Sequence, residues 1–150
     1  MSSKNEIVIK DSCILFDLVE LNLMQDFFQL EVIAFTTPQV IEEIINDEQW
    51  KIIEPYISSG KLNIDRLGTY EDVTEIENQY AALSFADSSV LELALRKNAL
   101  LLTSDGSLRK ISISKQVQVR GLLWIIEELS GCVFIQERFT LTLRLLRSLQ

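Results

Sequence analysis

The stretch ALLLTSDG at residues 99–106 is the most hydrophobic strand candidate of the chain, and it ends in a polar turn. A run of apolar residues this short is typical of a strand buried on both faces of a parallel sheet. Two similar runs precede it, EIVIK at residues 6–10 and VIAF at residues 32–35. Segments with helical spacing separate the three runs, which favours an α/β fold.

Helix start signals define the elements between these strands. Thr37 can cap a helix whose first residue is Pro38, and Ser84 with Asp87 has the pattern of a capping box. Residues 62–67 and 117–119 are weaker strand candidates. We therefore predict a central, mostly parallel sheet of four to five short strands with helices on both faces. In such sheets ligands bind beyond the carboxyl ends of the strands.

The composition limits the chemistry. The chain of 150 residues is long enough for one domain, and we expect a single domain over residues 1–150, with a core at about 6–130 and a C-terminal helix at about 137–149. No histidine is present, so the usual general base and zinc ligand are missing. A metal held by oxygen would then be Mg²⁺ or Mn²⁺.

Compartment and charge give further expectations. The polar N-terminus and the lack of a long apolar run favour a cytoplasmic protein with no membrane contact, in which Cys13 and Cys132 would be reduced core residues. The net charge is −8, but it is uneven: residues 1–83 carry five basic and 16 acidic residues, and residues 84–150 carry nine and six. A nucleic-acid contact would therefore belong mainly to the second half.

Acidic residues occur where the predicted sheet would place a ligand site. Asp11 and Asp105 follow two strands, and Asp87 begins the helix before the strand at residue 100. Glu42 and Glu43 follow the second strand, and helical periodicity does not choose between them. Carboxylates that converge repel one another unless a divalent cation neutralises them. Each acid alone also fits a helix cap, a turn or a solvated helix face.

Four motifs in this order resemble the PIN-domain family. They are IVIKDSCIL at residues 7–15, TPQVIEEI at 37–44, LSFADSSVLELA at 83–94 and LLTSDGSLR at 101–109, followed by VRGLLWI at 119–125. The resemblance spans residue 7 to about residue 129, and the last two motifs are the most specific. It implies a PIN-like fold and a metal-dependent ribonuclease, such as the VapC-like toxins of toxin–antitoxin pairs.

The resemblance also implies roles for single residues. The catalytic metal ligands would be Asp11, Glu43, Asp87 and Asp105, binding Mg²⁺ or Mn²⁺ for hydrolysis of RNA phosphodiester bonds. Ser12 and Thr103 would support these ligands by hydrogen bonds. Ser104 stands where many members of the family have a further Asp. Candidates for RNA contacts are Arg109 and Lys110, with Arg96 or Lys97 as further candidates.

Two other functional classes stay open at this point. The chain could be a catalytically weak or inactive PIN-like module that binds protein or RNA, which its acidity and Ser104 would suit. A phosphatase or phospho-acceptor domain fits less well, because Asp11 is followed by Ser12 and Cys13 rather than by a second acid. We expect an RNA substrate, an antitoxin protein as partner and a homodimer, with Leu141, Leu145 and Leu149 on an amphipathic C-terminal segment.

Overall fold

The computed structural model describes residues 5–10, 12–44 and 46–130, with the side chains of Asn5 and Ser12 left out. Within these residues the chain forms five strands and eight helices. The strands are β1 (Asn5–Ile9), β2 (Val32–Thr36), β3 (Leu62–Ile64), β4 (Leu100–Leu102) and β5 (Val119–Arg120). The helices are α1 (Ser12–Glu20), α2 (Met24–Gln29), α3 (Pro38–Glu42), α4 (Asp47–Ser58), α5 (Tyr70–Gln79), α6 (Phe85–Lys97), α7 (Gly106–Ser114) and α8 (Leu122–Ser130).

The strands form one parallel sheet in the order β3-β2-β1-β4-β5. The register pairs Ile7 with Ala34 on one side and with Leu100 on the other. The predicted mostly parallel sheet with helices on both faces is therefore confirmed. The weaker strand candidate at residues 62–67 forms a strand only over Leu62–Ile64, and this strand, β3, is an edge of the sheet. The last strand begins at Val119 because the Val117 N–H still bonds to Ser112 O at the end of α7.

Alternating residues of the central strands fill two hydrophobic cores. Ile7 and Ile9 point to the core formed with α1, α2, α4 and α8, whereas Val8 points to the core formed with α3, α6 and α7. Leu102 and Leu101 divide in the same way between the two cores. This period of two follows from strand geometry and explains why strands without polar residues suit a sheet covered on both faces.

Cys13 departs from the expectation that it is a core residue. It is exposed, because the buried face of α1 is formed by Ile14, Leu15 and Leu18. Cys13 precedes these positions and lies on the outer face of the helix. Cys132, the C-terminal helix predicted at residues 137–149 and Asp11 lie outside the described residues. No helix in the described parts of the chain is long and apolar enough to cross a membrane.

Candidate metal centre

The carboxyl ends of β1, β2 and β4 position the predicted acids at one edge of the sheet. Parallel pairing of β1 with β2 and with β4 brings these ends side by side. The Lys10 N–H extends the pairing by donating to Leu102 O at 3.1 Å, and the Thr36 hydroxyl donates to Ile9 O at 2.9 Å. The backbone at this edge is thereby held by hydrogen bonds that join neighbouring strands.

Asp87 is buried at the N-terminus of α6. Ser84 and Asp87 form the predicted capping box: the Ser84 N–H donates to Asp87 Oδ2 at 3.0 Å, and the Asp87 N–H donates to Ser84 Oγ at 3.0 Å. The residue is 8% exposed. Because the cap engages Oδ2, the carboxylate has a fixed direction and its Oδ1 faces the sheet edge.

Lys10 joins two of the predicted ligands. Its Nζ lies 3.4 Å from Asp87 Oδ1 and 3.4 Å from Glu43 Oε2. Glu43 follows α3 as its C-cap, and Glu42 is the last residue of that helix. Because α3 ends at Glu42, helical periodicity does not describe the position of Glu43, and the two glutamates are not equivalent. Thr37 starts α3 as predicted, since its Oγ1 accepts the Val40 N–H at 3.3 Å, and it also bonds to Ser89 Oγ of α6.

Asp105 follows β4 and caps α7. Its Oδ1 accepts the Leu108 N–H at 2.8 Å, and its own N–H donates to Thr103 Oγ1 at 3.1 Å. Thr103 is completely buried, whereas Asp105 is exposed. Gly121 lies close to the same turn, because a Cβ there would meet Thr103 O at 3.9 Å. Thr103 therefore orients the backbone of Asp105, as a supporting residue would.

The structure brings together some of the predicted ligands. Glu43 and Asp87 converge on one ammonium, and Asp105 lies on the neighbouring strand end. Asp11 is outside the described residues; its neighbour Lys10 follows β1, and Ser12 begins α1. Among the residues that are described, no three Cys, Asp or Glu side chains are close enough to hold a metal ion. Glu43 and Asp87 supply oxygen donors, the ligand type that a hard divalent cation takes, and Lys10 already neutralises part of their charge in this arrangement.

Arg96 and Lys97, the further candidates for an RNA contact, have partners within the chain. The Arg96 guanidinium contacts Asp65 Oδ1 at 2.7 Å and Glu92 Oε1 at 2.8 Å. Lys97 Nζ lies 3.8 Å from Glu6 Oε1 and 4.2 Å from the centre of the Phe35 ring. Both cations therefore contact acidic or aromatic groups of the same chain. Arg109 and Lys110 on α7 are exposed.

The sequence interpretation missed Lys10 and the Asp65–Glu92–Arg96 group. The side of the sheet on which Lys10 lies could have been predicted from the sequence. Lys10 follows Val8 by two residues, so it lies on the strand face covered by α3 and α6. The contact between Arg96 and Asp65 could not have been predicted from spacing, because Asp65 is 31 residues away in sequence. Only the Glu92–Arg96 pair has the i, i+4 spacing that a helix predicts.

Comparisons with known proteins agree with this architecture. A family model described as PIN domain matches residues 7–148. Endoribonuclease Nob1 of Methanocaldococcus jannaschii is 33% identical over 93 residues, which cover 59% of this chain and 45% of that protein. Endoribonuclease Nob1 of Pyrococcus abyssi is 26% identical over 135 residues, which cover 81% and 84%. The chain thus spans less than half of the length of the first of these relatives.

A solved structure shows the same fold. The crystal structure of PAE2754 from Pyrobaculum aerophilum superposes with a TM-score of 0.60 at 12% identity, and the match covers 85% of this chain and 98% of that one. At this identity the likeness concerns the fold alone. The family match, in contrast, covers nearly the whole sequence and includes all four motifs at the sheet edge. The chain belongs to the PIN-domain family.

Proposed function

We propose that this chain is a metal-dependent endoribonuclease that hydrolyses RNA phosphodiester bonds at the carboxyl edge of its sheet. The observation that carries the proposal is the pair of carboxylates, Glu43 and Asp87, that come from two helices and converge on one cationic group. Membership of the PIN-domain family and the two relatives named endoribonuclease Nob1 support the reaction class.

The proposed ligands of Mg²⁺ or Mn²⁺ are Asp11, Glu43, Asp87 and Asp105. When bound, the metal supplies a Lewis acid that activates water and stabilises the charge developing on the phosphate. The residues of the chain hold the carboxylates in place for it. The capping box directs Asp87, the turn at Thr103 directs Asp105, and Ser12 would support Asp11.

The RNA strand would approach from the side of α7 and α8. An open groove of about 370 Å³ there is lined by Arg109, Arg120, Leu123, Trp124 and Glu127, among others. Two arginines at one groove can neutralise backbone phosphates, and exposed Lys110 lies next to Arg109. The groove follows β5, whose carboxyl end lies beside that of β4. We therefore place the RNA backbone across Arg109 and Lys110, next to Asp105.

Cleavage of a labelled RNA panel tests the proposal. Wild type is incubated with Mg²⁺, with Mn²⁺ and with a chelator, beside Asp87→Asn and Asp105→Asn. Metal-dependent cutting that both variants lose supports the proposed site. Asp72→Asn is the control for Asp87→Asn, since Asp72 stands at the same position after an N-cap, Thr69 of α5, yet is exposed. Loss of cutting in Asp72→Asn as well would contradict an assignment to this edge.

A second candidate function is a PIN-like module that binds protein or RNA and does not cut. The contact of Lys10 with both Glu43 and Asp87 favours it, because the pair is already partly neutralised. Wild type that binds RNA but cuts nothing with either metal, and binds no Mn²⁺, would establish this alternative.

The biological setting is a further part of the proposal. A VapC-like toxin would act on cytoplasmic RNA, associate as a homodimer and be inhibited by an antitoxin protein, and the family resemblance is the support for this role. Induced expression in a bacterial host should then arrest growth with wild type and not with Asp87→Asn. Equal growth of the two strains at equal protein levels would contradict the toxin role.

A further inference from the structure

We infer that Lys10 is a tethered cation that holds the acidic site together without metal and competes with the divalent cation for Glu43 and Asp87. This inference rests on the proposed metal site and concerns its regulation. It adds to the site a residue that is neither an acid nor an RNA contact. Its consequence is that Lys10 weakens metal binding while it stabilises the metal-free protein.

The strand fixes the position of Lys10. It follows Val8 by two residues, so its side chain leaves the sheet on the face covered by α3 and α6. The hydrogen bond from its N–H to Leu102 O holds the backbone. The Lys10 side chain is 12% exposed, so its aliphatic part is packed and its ammonium lies inside the acidic site rather than in solvent.

The ammonium and a metal would use the same carboxylate oxygen. Asp87 Oδ2 accepts the Ser84 N–H in the capping box, which leaves Oδ1 as the oxygen that faces the site. Lys10 Nζ contacts this Oδ1 and also Glu43 Oε2, each at 3.4 Å. A divalent cation bound to Asp87 Oδ1 would therefore meet the ammonium at close range.

The positive charge of Lys10 determines whether this residue strengthens or weakens metal binding. Two carboxylates, one of them 12% exposed in its side chain, repel each other when no cation lies between them. The ammonium reduces this repulsion in the metal-free protein. Once a divalent cation is bound, the ammonium is a like charge next to it and opposes binding. Removing it should tighten binding by roughly tenfold, because like charges a few ångströms apart repel by about this much when the screening is close to that of bulk water.

The test is a Mn²⁺ titration of the full chain by calorimetry, together with thermal unfolding with and without Mn²⁺. Lys10→Met keeps the length of the side chain and removes the charge, Lys10→Arg keeps the charge, and exposed Lys61→Met is the control. We expect Lys10→Met to bind Mn²⁺ roughly tenfold more tightly and to unfold at a lower temperature without metal. Lys10→Arg and Lys61→Met should bind Mn²⁺ as wild type does.

Unchanged or weaker Mn²⁺ binding by folded Lys10→Met would overturn the inference and leave the proposed function standing, provided wild type binds Mn²⁺. If no form of the protein binds Mn²⁺, the metal site and the inference both fail. A measurement on wild type covers the case in which Lys10→Met does not fold. Acetylation of Lys10, read by mass spectrometry, should increase when Mn²⁺ displaces the ammonium, and an unchanged rate at saturating Mn²⁺ would overturn the inference.

Discussion

At the residue scale, the acids of the sheet edge have structural contacts in addition to their proposed role. Asp87 and Asp105 accept backbone N–H groups at the starts of α6 and α7, and Glu43 pairs with Lys10. A substitution at any of them therefore changes local structure as well as charge. For this reason each activity measurement needs a control acid with the same structural contact.

The Asp65–Arg96 ion pair gives a prediction about pH. Burial alone raises the pKa of Asp65, but the hydrogen bonds from Arg96 and from the Leu67 N–H, with the charge of Arg96, lower it below its ordinary value of 3.8. The same hydrogen bond with Asp65 raises the pKa of Arg96. Because the folded pKa of Asp65 is the lower one, its contribution to stability is present above pH 3.8 and disappears as the pH falls through the folded value.

Asp65→Asn should therefore lower the free energy of unfolding by about 1–2 kcal/mol at pH 7. The difference from wild type should shrink in urea unfolding at pH 3, because Asp65 of unfolded wild type is largely protonated below pH 3.8 while the folded state, whose pKa is lower, takes up its proton only as the pH falls further. Glu75→Gln, at an exposed position of α5, should differ little from wild type at either pH. A deficit of Asp65→Asn that is as large at pH 3 as at pH 7 would show that the ion pair is not its cause.

Single residues also show what the sequence can and cannot predict. Asp87, with its capping partner three residues away, was predictable because the contact is local. The choice between Glu42 and Glu43 was not predictable from periodicity, since it depends on the point where α3 ends. Glu43, a partner of Lys10, and Asp65, a partner of Arg96, lie 33 and 31 residues away in sequence, and sequence spacing does not encode these two pairs.

At the scale of elements, the starts of three helices hold the site. Thr37, Ser84 and Asp105 cap α3, α6 and α7, all of which begin at the carboxyl edge of the sheet. Helix N-termini favour negative charge near them, which suits the placement of carboxylates at this edge. The caps were predictable at Thr37 and Ser84, because Thr-Pro and the capping box are local sequence signals.

Removing the cap of α6 should affect both stability and activity. Ser84→Ala should cost about 1 kcal/mol in the free energy of unfolding. It should also slow RNA cleavage, because the capping box sets the direction of Asp87. Thr69→Ala removes the equivalent cap of α5, where Thr69 Oγ1 accepts the Asp72 N–H. It should cost a similar free energy and leave cleavage unchanged, so equal activity losses in the two variants would refute a specific role of the α6 cap.

At the scale of the whole molecule, the distribution of charge separates the acidic first part of the chain from the basic second part. The fold places the basic residues Arg109, Lys110 and Arg120 on α7 and β5, at one side of the sheet edge. The charge asymmetry was visible in the sequence. The groove that gathers Arg109 with Arg120 and Trp124 was not, because it depends on how α8 packs after β5.

The salt dependence of RNA binding measures how much the basic residues of α7 contribute to that binding. The double variant Arg109→Ala, Lys110→Ala should weaken binding of a labelled RNA and reduce the slope of log K against log salt by roughly 1–2 units. Lys61→Ala, in the acidic part of the chain, should leave the slope unchanged. A slope that is the same in wild type and in the double variant would show that RNA binds elsewhere.

The overall fold was largely predictable because strands buried on both faces and capped helices leave strong local signals. ALLL at residues 99–102 and EIVI at 6–9 formed the adjacent strands β4 and β1. Cys13 was wrongly assigned to the core because apolar neighbours in sequence do not define which face of α1 is buried. The geometry of the site could not be predicted from the sequence alone, because it depends on how α3 and α6 meet at the end of β1.

The central claim is that the convergent carboxylates at the sheet edge form a metal site that cuts RNA. The most direct test compares the rate of RNA cleavage with Mn²⁺ or Mg²⁺ for wild type, Glu43→Gln and Glu42→Gln, because the two glutamates are neighbours and Glu43 is the one whose Oε2 lies 3.4 Å from Lys10 Nζ beside Asp87. We predict a loss of about 100-fold for Glu43→Gln and a rate close to wild type for Glu42→Gln. Equal rates for Glu43→Gln and wild type, or equal losses in both variants, would contradict the proposed site.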